Sequence, residues 1–375
     1  MSKLYLSFDP LTPAFAKRLG PQYEKITKDT KTEIRIGFMA SVFVAFMPFP
    51  YCDLGPTARQ VMKPLTLIFL GVFFTMSSTI AATESAVTYR SIHVEDLDIF
   101  YRESGPKDGP TILCLHGLPS SSRMFQPLLE SNLSNNYHLI APDYPGFGHS
   151  SWPSPKEFTY TFDSLAKVME DFADELHLSR YTLFLQDYGG PVGFRMALAH
   201  PDKIQAMIIQ NAVSHEEGLS SLWAVRRAFW EDRAAHEAEV RANLLSLEAT
   251  KKRHIGTSPD LSLYDPDLWV DEHYFLNQPG QADIQLDLFY DYQNNVKSYP
   301  KWQQWLRDHQ PPMLVLWGKY DTSFTVAGAE AYHRDNPHAE VHILDAGHFA
   351  MDLKAGEIIQ LTEAFMKEHS LRSEK

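Results

Sequence analysis

From Val87 onward, short apolar runs alternate with segments whose apolar residues recur every three or four positions. That alternation commits the region to an α/β domain built on a mostly parallel sheet. Residues 87–94 and 97–102 read as a strand pair turning at Glu95-Asp96, and Thr111-Ile112-Leu113-Cys114-Leu115 as a strand covered on both faces, with Cys114 in the core. Further strands are predicted at 137–141, 181–185, 204–209, 313–317 and 341–344. Leu165, Val168, Met169, Phe172 and Leu176 place one apolar stripe on a helix over 162–177. Segment 213–311 breaks the rhythm: it is rich in Trp and Tyr, helical in pattern around 222–230 and 238–251, and without clear strands. It reads as a helical lid inserted between consecutive strands, which leaves 83–212 and 312–375 as the core.

Composition narrows the function classes. A formal net charge of −13 argues against nucleic acid as a partner, because phosphate binding needs clustered Lys and Arg. The two cysteines, Cys52 and Cys114, are far apart in dissimilar contexts, so neither a disulfide framework nor a cysteine zinc site is expected. No phosphate-binding loop, nucleotide fingerprint, zinc helix or calcium loop appears, and His273 beside Asp271 and Glu272 has no ligand spacing. No cofactor or metal is expected.

The first 82 residues differ from the rest, holding nine of the 34 basic residues but only five of the 47 acidic ones. Met62-Lys63-Pro64 opens a 20-residue uncharged stretch over 64–83 that ends in small residues. Residues 62–82 therefore read as a secretory signal peptide, with export to a periplasm or the exterior; an uncleaved signal anchor is the alternative. Because a signal peptide starts a protein, residues 1–61 are expected to be a spurious or unstructured upstream extension and Met62 the initiator. Membrane contact is expected only through 64–83.

Four loops follow strand ends, where open α/β sheets gather their ligands. They are His116-Gly117-Leu118-Pro119, the stretch from Asp143 to Ser150, Asp187-Tyr188-Gly189-Gly190 running into a helix, and Ala346-Gly347-His348-Phe349. Taken singly, each has an ordinary reading: the third fits a helix cap with tight packing, and Asp143 and His149 fit a shaped glycine-rich loop. Taken together, residues 87–370 resemble the α/β-hydrolase superfamily, with Asp187 at the strand-turn-helix elbow where most members carry serine. The resemblance implies an α/β-hydrolase fold, a mostly parallel sheet flanked by helices, and the order nucleophile, acid, histidine in Asp187, Asp321 and His348. Glu216 and Glu217, after the sixth strand, are alternatives to Asp321. Aspartate at the elbow resembles epoxide hydrolases and haloalkane dehalogenases, although Leu185 is larger than the small residue usual two positions before the nucleophile.

A carboxylate, ionised at neutral pH, displaces a leaving group from saturated carbon without a base. The resulting alkyl ester of Asp187 is cut by water that His348 deprotonates and Asp321 helps orient, with the backbone N–H groups of Leu118 and Tyr188 receiving the oxyanion. Expelling halide needs N–H donors, and Trp223, Trp230 and Trp269 in the lid are candidates. Opening an epoxide needs an acid, for which the lid offers Tyr264, Tyr274, Tyr290, Tyr292 and Tyr299. Tyr292 is preferred, because Tyr292-Gln293-Asn294-Asn295 resembles the stretch carrying such a donor, and Tyr274 follows. Epoxide opening is placed first and carbon–halogen hydrolysis second. A non-catalytic binding protein on the same scaffold is the reading from another class. The expected partners are water and a small apolar organic substrate in a largely apolar cleft.

Overall fold

The computed structural model describes residues 87–369 and 371. The expectations for 1–61, for the segment at 62–82 and for Cys52 lie outside the described residues. Among the described residues, no helix is long and apolar enough to cross a membrane.

Eight strands form one sheet: β1 (Thr88–Val94), β2 (Leu97–Ser104), β3 (Thr111–Leu115), β4 (His138–Pro142), β5 (Tyr181–Gln186), β6 (Ile204–Gln210), β7 (Met313–Gly318) and β8 (Glu340–Leu344), in the order β1-β2-β4-β3-β5-β6-β7-β8. The first hairpin is antiparallel, β2 joins β4 antiparallel, and the remaining pairs are parallel. Every residue of β3, β4, β5 and β7 is buried, which is why these strands read as continuous apolar runs.

Alternation along the strands divides the core between the two faces. Ile112, Cys114, Phe184, Ile208 and Leu316 pack with the C-terminal helix, whereas Leu113, Leu115, Leu183, Leu185 and Ile209 face the other way. Cys114 is a fully buried free thiol, as its strand context predicts, and burial pushes its pKa up.

Helix α1 (Phe162–Glu175) begins where the Thr161 hydroxyl accepts the Ser164 N–H, and it buries Phe162, Leu165, Met169 and Phe172. Helix α2 (Gly189–Ala199) leaves β5 directly. Between β6 and β7 lie α3 (Trp223–Glu231), α4 (Arg233–Leu244), α5 (Leu247–Ile255), α6 (Asp267–Leu276) and α7 (Gln281–His309); α8 (Val326–Asp335) and α9 (Met351–Glu368) complete the core. The insertion is helical, as expected, but not all of it is cover. The later part of α7 lies on the core, where Trp302 stacks on Phe194 of α2 at 5.1 Å and Asn295 accepts from Arg195 at 2.9 Å. An apolar stripe spaced for a lid is equally spaced for a flanking helix, so periodicity alone could not divide them.

Candidate active site

Asp187 occupies the turn from β5 to α2 with φ of 45°, a left-handed conformation uncommon for a non-glycine residue. Such a turn lifts the side chain clear of the sheet's C-terminal edge. Leu185 is tolerated two positions earlier because the room is supplied by the helix instead. A Cβ on Gly193 would stand 2.4 Å from Leu185 Cδ2, and one on Gly189 would stand 2.1 Å from the Leu115 carbonyl oxygen.

The Asp187 carboxylate is held from the adjacent loop, where the Leu118 N–H donates to Oδ2 at 2.9 Å. The Tyr188 N–H stands at the start of α2, among the donors that a helix N-terminus leaves without intrahelical partners. His348 Nε2 lies 3.8 Å from the same Oδ2, and its Nδ1 donates to Asp321 Oδ2 at 2.7 Å. Burial alone would lower the His348 pKa, but the charges of Asp321 and Asp187 outweigh it and raise it to about 9. Asp187, Asp321 and His348, distant in sequence, thus meet at one end of the sheet.

The alternatives for the acid are excluded by position. Glu216 and Glu217 are exposed and paired with Arg227 and Arg334, so neither reaches His348. Asp143 shapes its loop as expected, accepting the Ser122 and His149 N–H groups at 2.7 and 2.8 Å.

These residues open onto a small cavity that Tyr292, Trp223, Phe289, Arg226 and Arg253 also line. Tyr292 is 1% exposed and packs on Trp223 at 4.7 Å and on Tyr188 at 5.9 Å. Burial, with the Tyr299 hydroxyl within reach of a hydrogen bond and the Asp187 charge nearby, holds its pKa well above the usual phenol value. The other tyrosine candidate fails. Tyr274 is 62% exposed on the outer side of α6. Trp269 does not line the cavity; it packs near His254 and under Lys251. Trp223 and Trp230 have committed their indole N–H groups to the carbonyls of Ser323 and Phe289, at 3.0 and 2.9 Å.

Two guanidinium groups stand in the wall of the cleft. Arg226 and Arg253 were not singled out in the sequence, where a cation on a helix reads as solvated surface; the available signal was Trp223 one turn before Arg226 on the same face. Asn211 was also missed. It follows β6 at a strand's carboxyl end, the place where site residues gather, and donates from Nδ2 to Asp321 Oδ2 at 2.9 Å.

Residues 110–355 match the family model described as the alpha/beta hydrolase fold. The chain is 40% identical over 270 residues to the Saccharomyces cerevisiae protein named uncharacterized hydrolase YNR064C, covering 70% of this chain and 92% of that one. It is 26% identical over 296 residues to epoxide hydrolase 2 of Caenorhabditis elegans, covering 76% and 81% of the two chains. Among solved structures, a mutant of haloalkane dehalogenase DatA from Agrobacterium tumefaciens C58 shares the fold with a TM-score of 0.64 at 23% identity, covering 75% of this chain and 97% of that one. With its eight-stranded, mostly parallel sheet, this chain belongs to the alpha/beta hydrolase fold family.

Proposed function

We propose that the chain is a hydrolase that works through a covalent alkyl ester of Asp187, with an epoxide as substrate and a diol as product. The observation that carries the reading is the arrangement around one carboxylate: Oδ2 receives the Leu118 N–H at 2.9 Å and faces His348 Nε2 at 3.8 Å. Oδ2 is thereby set to be the ester's carbonyl oxygen, which leaves Oδ1 to attack carbon. Attack forms the Oδ1–C bond and breaks a ring C–O bond, and the departing oxygen takes the Tyr292 phenol proton. The His348 imidazolium then returns a proton to the Tyr292 phenolate, after which water gives a proton to the freed Nε2 and adds to the Asp187 carbonyl carbon. The oxyanion on Oδ2 is met by the Leu118 and Tyr188 N–H groups. Collapse, with the last proton passing to the leaving alkoxide, releases the diol and leaves His348 protonated, as it is in the free protein.

Epoxide is preferred to halide because the indole N–H of Trp223, the tryptophan that lines the cavity, is already engaged, whereas Tyr292 brings a buried phenol to the same cavity. The relative named epoxide hydrolase 2 supports the same choice.

Turnover in heavy-oxygen water tests the mechanism: repeated cycles should label the Asp187 carboxyl group, read by peptide mass. An unlabelled Asp187 after many turnovers overturns it. Terminal epoxides and brominated alkanes assayed side by side test the bond type, and halide release without diol formation overturns the epoxide reading.

A further inference from the structure

We propose that Arg226 and Arg253 form a subsite for a carboxylate carried by the substrate, so that the molecules processed at Asp187 are small organic acids. This names the substrate class of the reaction proposed above and rests on that reading.

The cavity at Asp187 adjoins a larger cleft between the inserted helices, walled by Leu222, Val225, Val240 and Leu244. Arg226 and Arg253 line both spaces, so they stand where the two meet. Each is half-buried, and neither has a carboxylate within 4.0 Å among the described residues. Arg226 donates to Ser323 Oγ at 3.0 Å and lies over the Trp223 ring at 3.9 Å. Arg253 gives both terminal nitrogens to the Leu244 carbonyl at 3.3 Å. Each guanidinium has five N–H donors, so most remain available.

The contrast within the same insertion is informative. Arg233 is paired with Glu237 and Asp287, and Arg241 with Glu237 and Asp283. A chain with a net charge of −13 has an excess of acids, yet Asp187 and Asp321 in the cavity and Glu248 in the outer cleft all stand beyond ion-pair distance from the two arginines. The two cations line the same cavity, and burial, then the like charge of Arg226, pull the Arg253 pKa down to about 10, which leaves Arg253 charged at neutral pH. An incoming carboxylate relieves both penalties, and its planar oxygens suit two guanidinium forks. Lys251 and Lys252 in the outer cleft, against the single carboxylate of Glu248 there, extend a net positive field toward solvent.

Binding is measured by calorimetry on the full chain with sodium hexanoate, hexanamide, sodium chloride and inorganic phosphate. Hexanoate should bind about tenfold or more tighter than hexanamide. Arg226→Gln and Arg253→Gln should abolish that preference while Arg226→Lys and Arg253→Lys keep part of it, with melting curves showing that each variant folds. Equal binding of hexanoate and hexanamide, or a preference that survives both Gln variants, overturns the subsite. So does chloride or phosphate binding as tightly as hexanoate. The assay involves no turnover, so it fails independently of the Asp187 chemistry: a labelled Asp187 with no hexanoate preference removes only the subsite, and a hexanoate preference with an unlabelled Asp187 removes only the ester mechanism.

Discussion

Asn211 and Asp321 are joined by a hydrogen bond of 2.9 Å from Nδ2 to the same carboxylate oxygen that accepts the His348 Nδ1–H at 2.7 Å. The amide orientation is fixed from behind, because the Asn211 Oδ1 accepts the Gly318 N–H at 2.8 Å. The other Asp321 oxygen accepts the Ser323 and Phe324 N–H groups at 2.7 and 3.1 Å. Asn211 therefore ties the end of β6 to the end of β7 and aims the acid at the imidazole. A hydrogen bond to a charged group is worth about 1.5–3 kcal/mol. Asn211→Ala should lower kcat by about tenfold to a hundredfold with a smaller change in KM. Steady-state kinetics check this, and an unchanged kcat in a folded variant excludes the positioning role.

The elbow makes a packing prediction. Gly193→Ala places a methyl 2.4 Å from Leu185 Cδ2, a side-chain end that a smaller residue can vacate. The single change should cost about 1–3 kcal/mol. Combined with Leu185→Ala, it should cost less than the sum of the two single changes, because the clash is then gone. Gly189→Ala has no such remedy, since its neighbour at 2.1 Å is the Leu115 backbone oxygen. Denaturant unfolding of the four variants decides the matter, and additive losses for the first pair refute the contact.

How far the sequence carried these conclusions depended on what each feature requires locally. The buried strands were legible because strands covered on both faces, such as 111–115 and 313–318, must be apolar along their whole length. Asp187 was legible because an elbow needs glycine where helix and strand touch. The choice among Asp321, Glu216 and Glu217 was not, because all three follow strand ends and only the packing of β6 against β7 selects one. Tyr292 and Tyr274 looked alike as aromatics in a lid. They part because Tyr292 shares the inward face of α7 with Phe289, one turn earlier, while Tyr274 faces solvent. Arg226, Arg253 and His254 were silent because their neighbours in space come from other elements.

His254 of α5 links inserted helices to the core. Its ring lies between Glu272 of α6, at 2.8 Å, and Asp352 of α9, at 2.7 Å, and stacks on Phe349 beside His348. Burial alone would lower its pKa, but the two carboxylates outweigh burial and raise it to about 10. A folded-state value above the ordinary imidazole value means that protonation stabilises the fold. That contribution is full below about pH 6.5 and is lost as the pH rises through about 10. Melting temperature should therefore fall between pH 7 and 10, and more steeply in the native chain than in His254→Phe. Removing the cation leaves two buried carboxylates without their partner, a loss of about 3–5 kcal/mol at neutral pH. Parallel pH profiles for the two proteins exclude the clamp.

The raised pKa of His348 bears on when it can act as a base. At about 9, the free protein carries a protonated imidazole at neutral pH, held partly by the Asp187 charge. Protonated imidazole cannot deprotonate water, so the resting site is not poised for ester hydrolysis. In the proposed alkyl ester the Asp187 charge would be gone, one of the two anions raising the pKa would be lost, and the imidazole would release its proton more readily. Alkylation would thus switch the base on for the second step alone. Asp187→Asn reproduces the neutral state without substrate, so its His348 pKa, followed by NMR of the ring carbon proton, should fall by about one pH unit or more. Asp321→Asn should lower it further still, because the Asp321 charge raises it most. A His348 value that is the same in Asp187→Asn as in the native chain would rule out the switch.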